Sequence, residues 1–166
     1  MSILDHLLSK ELYFVLLGSG NKETEGYLRT IIGRYAGKAG MRFEFDNGSA
    51  HLTEAGADIF LMPSRYEPCG LNQMYSLRYG TVPVVRQTGG LADTVQEYDP
   101  ATGEGTGFVF VDYDADQFKA AADRALALWP DKKSWRRLMQ NGMRQDLSWK
   151  NSAKKYLDVY ERARKM

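Results

Sequence analysis

Residues 57–73 read Ala-Asp-Ile-Phe-Leu-Met-Pro-Ser-Arg-Tyr-Glu-Pro-Cys-Gly-Leu-Asn-Gln, and this stretch decides the fold. Its first six residues form a short apolar run, which predicts a buried strand that Pro63 ends. A helix is predicted over 71–78, directly after a turn at Gly70. A strand that leads through a loop into a helix is typical of open α/β sheets, in which ligands bind outside the carboxyl ends of the strands.

The rest of the sequence alternates between strand and helix in the same way. Apolar runs predict strands over residues 12–17, 41–45, 57–62, 82–85 and 107–111. Helical spacing predicts helices over residues 22–38, 50–56, 114–128, 132–143 and 148–164, with a loop and a short helix over 88–98. Because single helices separate the strands, we expect one Rossmann-like three-layer α/β domain over residues 1–166. It should have a parallel sheet, helices on both faces and a helical C-terminal tail.

The beginning of the chain departs from this pattern. Ile3, Leu4, Leu7 and Leu8 have the spacing of an amphipathic helix. A doubly wound sheet normally begins with a strand instead. We therefore expect the first strand to be missing and an edge of the sheet to be exposed.

The composition is that of a globular protein and gives no bulk reason for an acidic partner. Hydrophobic residues make up 43% of the chain, charged residues make up 26%, and the net charge is +1. Residues 129–166 are locally basic, with 11 basic and 4 acidic side chains. Because apolar residues are interleaved with them, we interpret this region as a solvated or docking helix face and expect no nucleic-acid partner. Binding of a polyanion by these helices is the alternative.

The residue types that build metal sites and disulfides are scarce. Cys69 is the single cysteine, which excludes an intrachain disulfide and favours a reducing compartment. His6 and His51 lie far apart and have no cysteine partners, so we expect no metal. No apolar run approaches about 18 residues and the first residues lack a signal peptide pattern, so we expect a cytoplasmic protein with no membrane partner.

The turn after the third predicted strand carries the candidate chemistry. At a helix start, the backbone N–H groups of Gly70, Leu71 and Asn72 would be free to bind phosphate or sugar hydroxyls. Gly70 has no side chain to block a close approach. Glu67 stands just before this positive end, where a carboxylate can accept hydrogen bonds from a sugar. The alternatives are an ordinary helix-start charge for Glu67 and a small buried hydrophobe for Cys69.

Two other glycine-containing stretches could bind a ligand. Residues 18–20 read Gly-Ser-Gly and resemble part of a dinucleotide fingerprint, but they lack its third glycine. Residues 88–91 read Thr-Gly-Gly-Leu and follow a predicted strand, which fits either a second ligand loop or a simple turn. In the first case Thr88, Gly89 and Gly90 are candidate ligand-binding residues beside the main turn.

Three ordered runs resemble the bacterial glycogen synthases and the plant starch synthases. Residues 64–73 read Ser-Arg-Tyr-Glu-Pro-Cys-Gly-Leu-Asn-Gln, residues 79–85 read Tyr-Gly-Thr-Val-Pro-Val-Val, and residues 88–95 read Thr-Gly-Gly-Leu-Ala-Asp-Thr-Val. The resemblance extends from the segment around Phe45 to the closing helix with Trp149, so it covers essentially the whole chain. It implies a GT-B glycosyltransferase, in which two Rossmann-like domains face each other across a cleft.

The function implied by this resemblance is that of the half of a glycosyltransferase that binds the sugar donor. The C-terminal domain of such an enzyme holds ADP-glucose, and glucose is transferred with retention to the non-reducing end of an α-1,4-glucan, without a cofactor or metal. By this resemblance, Glu67 is the catalytic residue, which contacts the donor glucose and assists reaction at its anomeric carbon. The backbone at Cys69 and Gly70 contacts sugar hydroxyls, and Leu71 and Asn72 lie near the distal phosphate.

Some positions depart from the family pattern. Asn72 stands where many bacterial members have threonine, so the resemblance assigns a role to its backbone and not to its side chain. Phe45 falls where a tyrosine often stacks on adenine, and phenylalanine keeps the ring face for stacking. The arginine and lysine that grip the ADP phosphates, and the lysine-containing glycine loop of the N-terminal domain, have no match. We therefore expect this chain to be one half of a GT-B enzyme whose partner is the N-terminal domain that the chain lacks. We expect the chain to be inactive without that domain.

Two questions stay open at this point. A stand-alone nucleotide-sugar-binding module that never catalyses is the alternative to a half-enzyme. ADP and UDP donors are both compatible with the sequence, because base choice depends on the backbone geometry of loops.

Overall fold

A computed structural model describes residues 3–165, so residues 1, 2 and 166 of the predicted domain lie outside the described part. The strands are β1 (Phe14–Leu17), β2 (Ala39–Arg42), β3 (Ile59–Met62), β4 (Val82–Arg86) and β5 (Phe108–Phe110). The helices are α1 (Ile3–Leu8), α2 (Lys22–Gly33), α3 (Asn47–Gly56), α4 (Asn72–Tyr79), α5 (Gly89–Thr94), α6 (Ala115–Leu128), α7 (Lys132–Met143) and α8 (Trp149–Ala163). The predicted alternation is confirmed, and the boundaries differ by a few residues.

The strands form two parallel sheets, where the sequence predicted one. β1 pairs with β2, with Phe14 opposite Ala39, and a second sheet has the order β3-β4-β5, with Ile59 opposite Val82. In a doubly wound sheet of order 3-2-1-4-5-6 the first strand lies at the centre. A sheet without that strand divides into a pair and a triplet, which is the division observed. The predicted fold class, a parallel α/β arrangement with helices on both faces, is confirmed.

The β3-β4-β5 sheet carries the main core because successive side chains of a strand point to opposite faces. On one face, strand residues pack against α6 and α7 in a cluster that includes Val84, Phe108, Phe110, Ala121, Ala125, Trp135 and Leu138. On the other face, Val85 packs against Leu77 of α4 and Leu91 of α5. Two helix layers therefore cover this sheet, and its carboxyl edge, where β3 ends, is held rigidly.

The β1-β2 sheet is much less buried. No residue of either strand is fully buried, and Ile31 is the buried side chain that α2 contributes. Helix α3 packs against both β1 and α4 and so connects this sheet to the rest of the protein. A two-stranded sheet with little core is marginally stable by itself, so this part depends for its position on α3 and on Lys38, which donates to the main-chain oxygens of Leu8 and Lys10.

Helix α1 is held on α6 by charge and by apolar contact. Leu7 and Leu8 are buried, which confirms the predicted amphipathic helix. His6 Nε2 lies 2.9 Å and Lys10 Nζ 3.0 Å from Asp123 Oδ1. Partial burial pushes the pKa of Asp123 upward, but the hydrogen bonds and charges of His6 and Lys10 outweigh it and hold the pKa below its ordinary value.

Helix α8 forms the predicted helical tail and buries none of its residues. Its basic side chains are exposed together with the large apolar residues Trp149, Tyr156, Leu157, Val159 and Tyr160. Among residues 3–165, no helix combines the length and the apolar character needed to cross a membrane. The same residues hold no cluster of three or more His, Cys, Asp or Glu side chains suited to a metal ion.

A buried carboxyl group on α3 makes stability depend on pH. Glu54 is 5% exposed and its Oε2 atom has no hydrogen-bond partner, while its main-chain oxygen accepts a 2.5 Å hydrogen bond from Thr81 Oγ1. Burial raises the pKa of Glu54, and the nearby His51 offsets this only in part. The folded protein therefore keeps this proton to higher pH than the unfolded chain. The resulting stability is fully present below about pH 4, the ordinary glutamate range, and is lost as pH rises through the raised pKa.

Glu54→Gln should remove this pH dependence because glutamine stays neutral. We expect the free energy of unfolding at pH 7 to rise by on the order of 1 kcal/mol, because a neutral amide does not carry the cost of an ionised carboxylate in a buried position. Urea unfolding measured from pH 4 to pH 8 tests this. Glu161→Gln, on exposed α8, is the control and should follow the wild-type curve. Parallel curves for wild type and Glu54→Gln would contradict the prediction.

Candidate functional site

The loop over residues 63–71, here called the β3–α4 loop, leaves the carboxyl end of β3 and enters α4. Gly70 has φ +72°, in the left-handed region that favours glycine. Leu71 precedes the helix with φ −111° and ψ −34°, and its side chain makes no capping hydrogen bond. The glycine therefore sets the turn, and no side chain covers the first N–H groups of α4.

Three backbone N–H groups at this turn are available to a ligand. The amides of Gly70, Leu71 and Asn72 have no hydrogen-bond acceptor within residues 3–165. Such groups at a helix start attract negative charge. The sequence prediction that these amides are free is confirmed, whereas their use by a ligand stays a prediction.

The side chains of the loop are also open. Glu67 is half-buried, and within the described part of the chain its carboxylate makes no hydrogen bond or ion pair. Cys69 is exposed, and its thiol contacts only the main-chain oxygen of Gly70, at 3.6 Å. The interpretation of Cys69 as a small buried hydrophobe is therefore wrong. A carboxylate with free lone pairs beside free amides can accept from sugar hydroxyls while the amides donate to phosphate oxygens.

The second predicted stretch lies directly against the first. Gly90 is buried and its N–H donates to the main-chain oxygen of Glu67 at 3.1 Å. A Cβ atom on Gly90 would overlap the Cys69 carbonyl oxygen and lie 2.6 Å from its carbon. A Cβ atom on Gly89, whose φ is +45°, would overlap the Glu67 oxygen in the same way. The two glycines are needed because two backbones meet here, and Thr88 stands beside them as the residue before α5.

Phe45 lies on a different loop, between β2 and α3. Its side chain is 91% exposed, so the ring makes almost no contact with the rest of the chain. The next residue, Asp46, caps α3 by accepting hydrogen bonds from Gly48 N and Ser49 Oγ. The predicted strand over 41–45 ends at Arg42, which leaves the Phe45 ring free to stack on a flat ligand. That role stays a prediction.

Two residues that hold the β3–α4 loop were missed by the sequence analysis. Gln73 is fully buried, and its Nε2 donates to the main-chain oxygens of Cys69 and Gly70, both at 3.0 Å. Arg86, at the carboxyl end of β4, donates to the main-chain oxygens of Arg65 and Val111 at 2.5 and 3.1 Å. For Gln73 the available signal was a polar residue among the apolar residues of a predicted helix, since a buried polar group needs hydrogen bonds; Arg86 lies just after the predicted strand over 82–85 and gave no such signal.

The sequence matches a known family over most of its length. Residues 2–144 match the model of the glycosyl transferases group 1. The chain belongs to this glycosyltransferase family. The predicted resemblance to the glycogen synthases is confirmed by relatives in that family. The glycogen synthase of Koribacter versatilis is 52% identical over 162 residues, and that of Thermotoga maritima is 51% identical over 164 residues.

The glycosyltransferase chain is shorter than these relatives. The matches cover 98% of this chain but 34% of each of the two glycogen synthases, so it spans about a third of their length. Among solved structures, the catalytic domain of starch synthase IV from Arabidopsis thaliana, bound to ADP and acarbose, matches with a TM-score of 0.74 and 26% identity. That match covers 96% of this chain and 42% of the other. The fold is therefore shared with one part of a larger glycosyltransferase.

Proposed function

We propose that residues 1–166 form the donor-binding half of a retaining glucosyltransferase. The complete enzyme transfers glucose from ADP-glucose to the non-reducing end of an α-1,4-glucan. The observation that carries this proposal is the β3–α4 loop, where free amides at Gly70, Leu71 and Asn72 stand beside the unpaired carboxylate of Glu67. The names of the glycogen synthase relatives, and the ADP and acarbose bound to the Arabidopsis enzyme, support the donor and the acceptor.

The two kinds of group have different tasks in the proposed reaction. The bond between C1 of glucose and the distal phosphate oxygen breaks, and its electron pair leaves with ADP. A new bond forms between C1 and the hydroxyl oxygen of the glucan, whose proton is released. The amides of Leu71 and Asn72 stabilise the negative charge that develops on the diphosphate. Glu67 accepts hydrogen bonds from the glucose and stabilises the positive charge that develops at C1.

The other predicted residues complete the donor site. Phe45 stacks on the adenine with the ring face that the structure leaves exposed. The backbone at Cys69 and Gly70 contacts sugar hydroxyls. Gly89 and Gly90 contribute through their contact with the β3–α4 loop, and Thr88 contributes from its position directly before them.

The proposal includes a second domain that completes the cleft. Large apolar side chains are exposed on α8, and a groove of about 300 Å³ lined by Leu16, Met41 and Leu52 opens over the β1-β2 sheet. Extended exposed apolar surface of this kind marks interaction sites. Such a domain would supply the acceptor site and the exclusion of water that transfer requires. The arginine and lysine that grip the ADP phosphates in the family have no match in this chain. The loss of two charged hydrogen bonds, at about 1.5–3 kcal/mol each, would weaken donor affinity by roughly two to four powers of ten.

Titration of the isotope-labelled chain with ADP-glucose tests donor binding directly. We expect amide NMR shifts at Glu67–Asn72 and Phe45, with weak affinity, and no shifts at α8. UDP-glucose in a parallel titration compares the two bases. Shifts confined to a surface away from the β3–α4 loop would overturn the proposed site.

Incubation with glycogen and with ADP-glucose labelled in its glucose tests whether this chain is active without the rest of the enzyme. The chain alone should give no labelled polymer, and polymer should form when it is combined with the part of a relative that precedes the matched region, including the arginine and lysine that grip the ADP phosphates. Incorporation by the chain alone would contradict the proposal. Donor binding without activity in the presence of the added part would instead favour a stand-alone binding module.

A further inference from the structure

Gln73 makes an unusual set of contacts for a residue in the first turn of a helix. It is fully buried, and its Nε2 lies 3.0 Å from the oxygens of Cys69 and Gly70 and 3.2 Å from Thr94 Oγ1. The Thr94 hydroxyl donates its own hydrogen to the oxygen of Gly90 at 2.6 Å. All three neighbours of Nε2 are therefore acceptors, which fixes the orientation of the amide group. Its Oε1 is buried without a hydrogen-bond partner, beside the Cα of Gly70.

The two carbonyls that Gln73 holds determine where the neighbouring N–H groups point. In a trans peptide unit the C=O and the following N–H point in opposite directions. Because the Cys69 carbonyl is directed inward at Gln73, the N–H of Gly70 is directed away from it. The Gly70 carbonyl fixes the N–H of Leu71 in the same way. Successive N–H groups held in one direction at a turn form a concave site for anions.

We propose that Gln73 is a positioning residue for the sugar and the distal phosphate of the donor, through the amides of Gly70 and Leu71 respectively. It draws the Cys69 and Gly70 carbonyls into the protein and thereby turns the Gly70 and Leu71 amides toward the ligand. It does not contact the ligand itself. The inference rests on the proposed function. It identifies Gln73 as the side chain that sets the direction of the backbone amides to which the donor is proposed to bind.

The link to Thr94 extends this effect to the second loop. Gln73 and Thr94 connect the β3–α4 loop to Gly90, which itself donates to Glu67. The donor turn and the main chain of Glu67 are thus held in one hydrogen-bonded unit, while the Glu67 carboxylate itself stays unpaired. Loss of the Gln73 amide should therefore shift the amides of Gly70 and Leu71 most, and the main chain of Glu67 to a smaller extent.

Two variants separate hydrogen bonding from shape. Gln73→Met keeps the length and burial of the side chain but cannot donate, and Gln73→Glu places acceptor oxygens against two carbonyls. We expect each to weaken ADP-glucose binding by about 10- to 100-fold, the loss expected when one or two charged hydrogen bonds are misaligned. Thermal unfolding and circular dichroism check that both variants are folded. Gln140→Met and Gln140→Glu, at an exposed position on α7, are the matched controls and should bind as the wild type does.

The pH profile distinguishes positioning from a general structural role. A protonated glutamic acid can donate one hydrogen bond, so binding by Gln73→Glu, relative to wild type at the same pH, should recover as pH falls. Gln73→Met should not recover. Amide NMR shifts of Gly70 and Leu71 in the ligand-free variants should change before any ligand is added.

The outcomes separate the two claims. If the wild type binds ADP-glucose at the β3–α4 loop and a folded Gln73→Met binds equally well, the positioning role of Gln73 is wrong and the proposed function stands. If the wild type shows no binding at this loop, the proposed function fails as well. A Gln73→Glu variant whose relative affinity does not change with pH would also overturn the positioning role.

Discussion

A Gly90→Ala variant is expected to unfold about 3 kcal/mol more easily than the wild type and to lose measurable ADP-glucose binding. The added Cβ would overlap the carbonyl oxygen of Cys69 and lie 2.6 Å from both its carbonyl carbon and its Cα. These are backbone atoms, which cannot move aside as the end of a flexible side chain can. Overpacking in a close-packed interior usually costs about 1–3 kcal/mol, and a backbone obstacle places this site at the upper end.

The same displacement disrupts the donor site. The Gly90 N–H holds the oxygen of Glu67, and Thr94 holds the oxygen of Gly90. A shift of either loop therefore moves the Glu67 carboxylate and the amides of the β3–α4 loop together. Urea unfolding gives the change in stability, and NMR titration with ADP-glucose gives the change in binding.

Gly26→Ala is the matched control for this experiment. Gly26 is exposed in the interior of α2, and a Cβ there would have no atom within 4 Å. Alanine is favoured over glycine in a helix by up to about 1 kcal/mol, so this variant should be slightly more stable and should bind normally. A Gly90→Ala variant as stable as Gly26→Ala would show that the two loops are not in contact as described.

Trp135→Ala is expected to cause the largest loss of stability in the chain, about 3–5 kcal/mol. Trp135 is 3% exposed on α7 and packs with Val84, Phe110 and Leu138 in the main core. Its ring also meets Trp129 edge-on, with 5.0 Å between centroids. For a chain of this length the melting temperature should fall by roughly 10 °C, measured by calorimetry at one protein concentration.

Trp149→Ala provides the same chemical change at an exposed position. Trp149 is 83% exposed on α8, so its removal from the isolated chain should change stability by no more than about 0.5 kcal/mol. If α8 docks on a second domain as proposed, Trp149→Ala should weaken that association while Trp135→Ala should not do so selectively. Equal destabilisation of the isolated chain by both variants would contradict the assignment of the core.

Much of the fold was predictable because local patterns and burial agree. The β4 residues form a continuous apolar run because both faces of the strand are covered, and the structure places the strand within one residue of the prediction. The helices after β5 begin where Asp114, Asp131 and Ser148 cap them, as residues of these types do. Helix α2 was predicted too long because the apolar spacing continues to Tyr35, whereas the helix ends at Gly33.

Among the candidate site residues, glycines were predictable and their partners were not. Gly70 could be identified because its positive φ is required by the turn in which it lies, and a turn of this kind is visible in the local sequence. The requirement at Gly89 comes from the backbone of Glu67, and that at Gly90 from the backbone of Cys69, which lie 22 and 21 residues away in the sequence. Gln73 gave no local signal for its contact with Thr94, because the partner lies on another helix.

By itself, the sequence determined the alternation of strands and helices, the parallel arrangement, and the loop in which the candidate donor site lies. These depend on the period of apolar residues and on local backbone preferences, which act over a few neighbouring residues. Only the tertiary structure decided that the strands divide into two sheets, that two glycine loops meet backbone to backbone, and that Gln73 hydrogen-bonds to the carbonyls of the turn. Each of these requires atoms far apart in sequence to meet, and strand pairing, backbone contact and buried hydrogen bonds become specified only when the chain is packed.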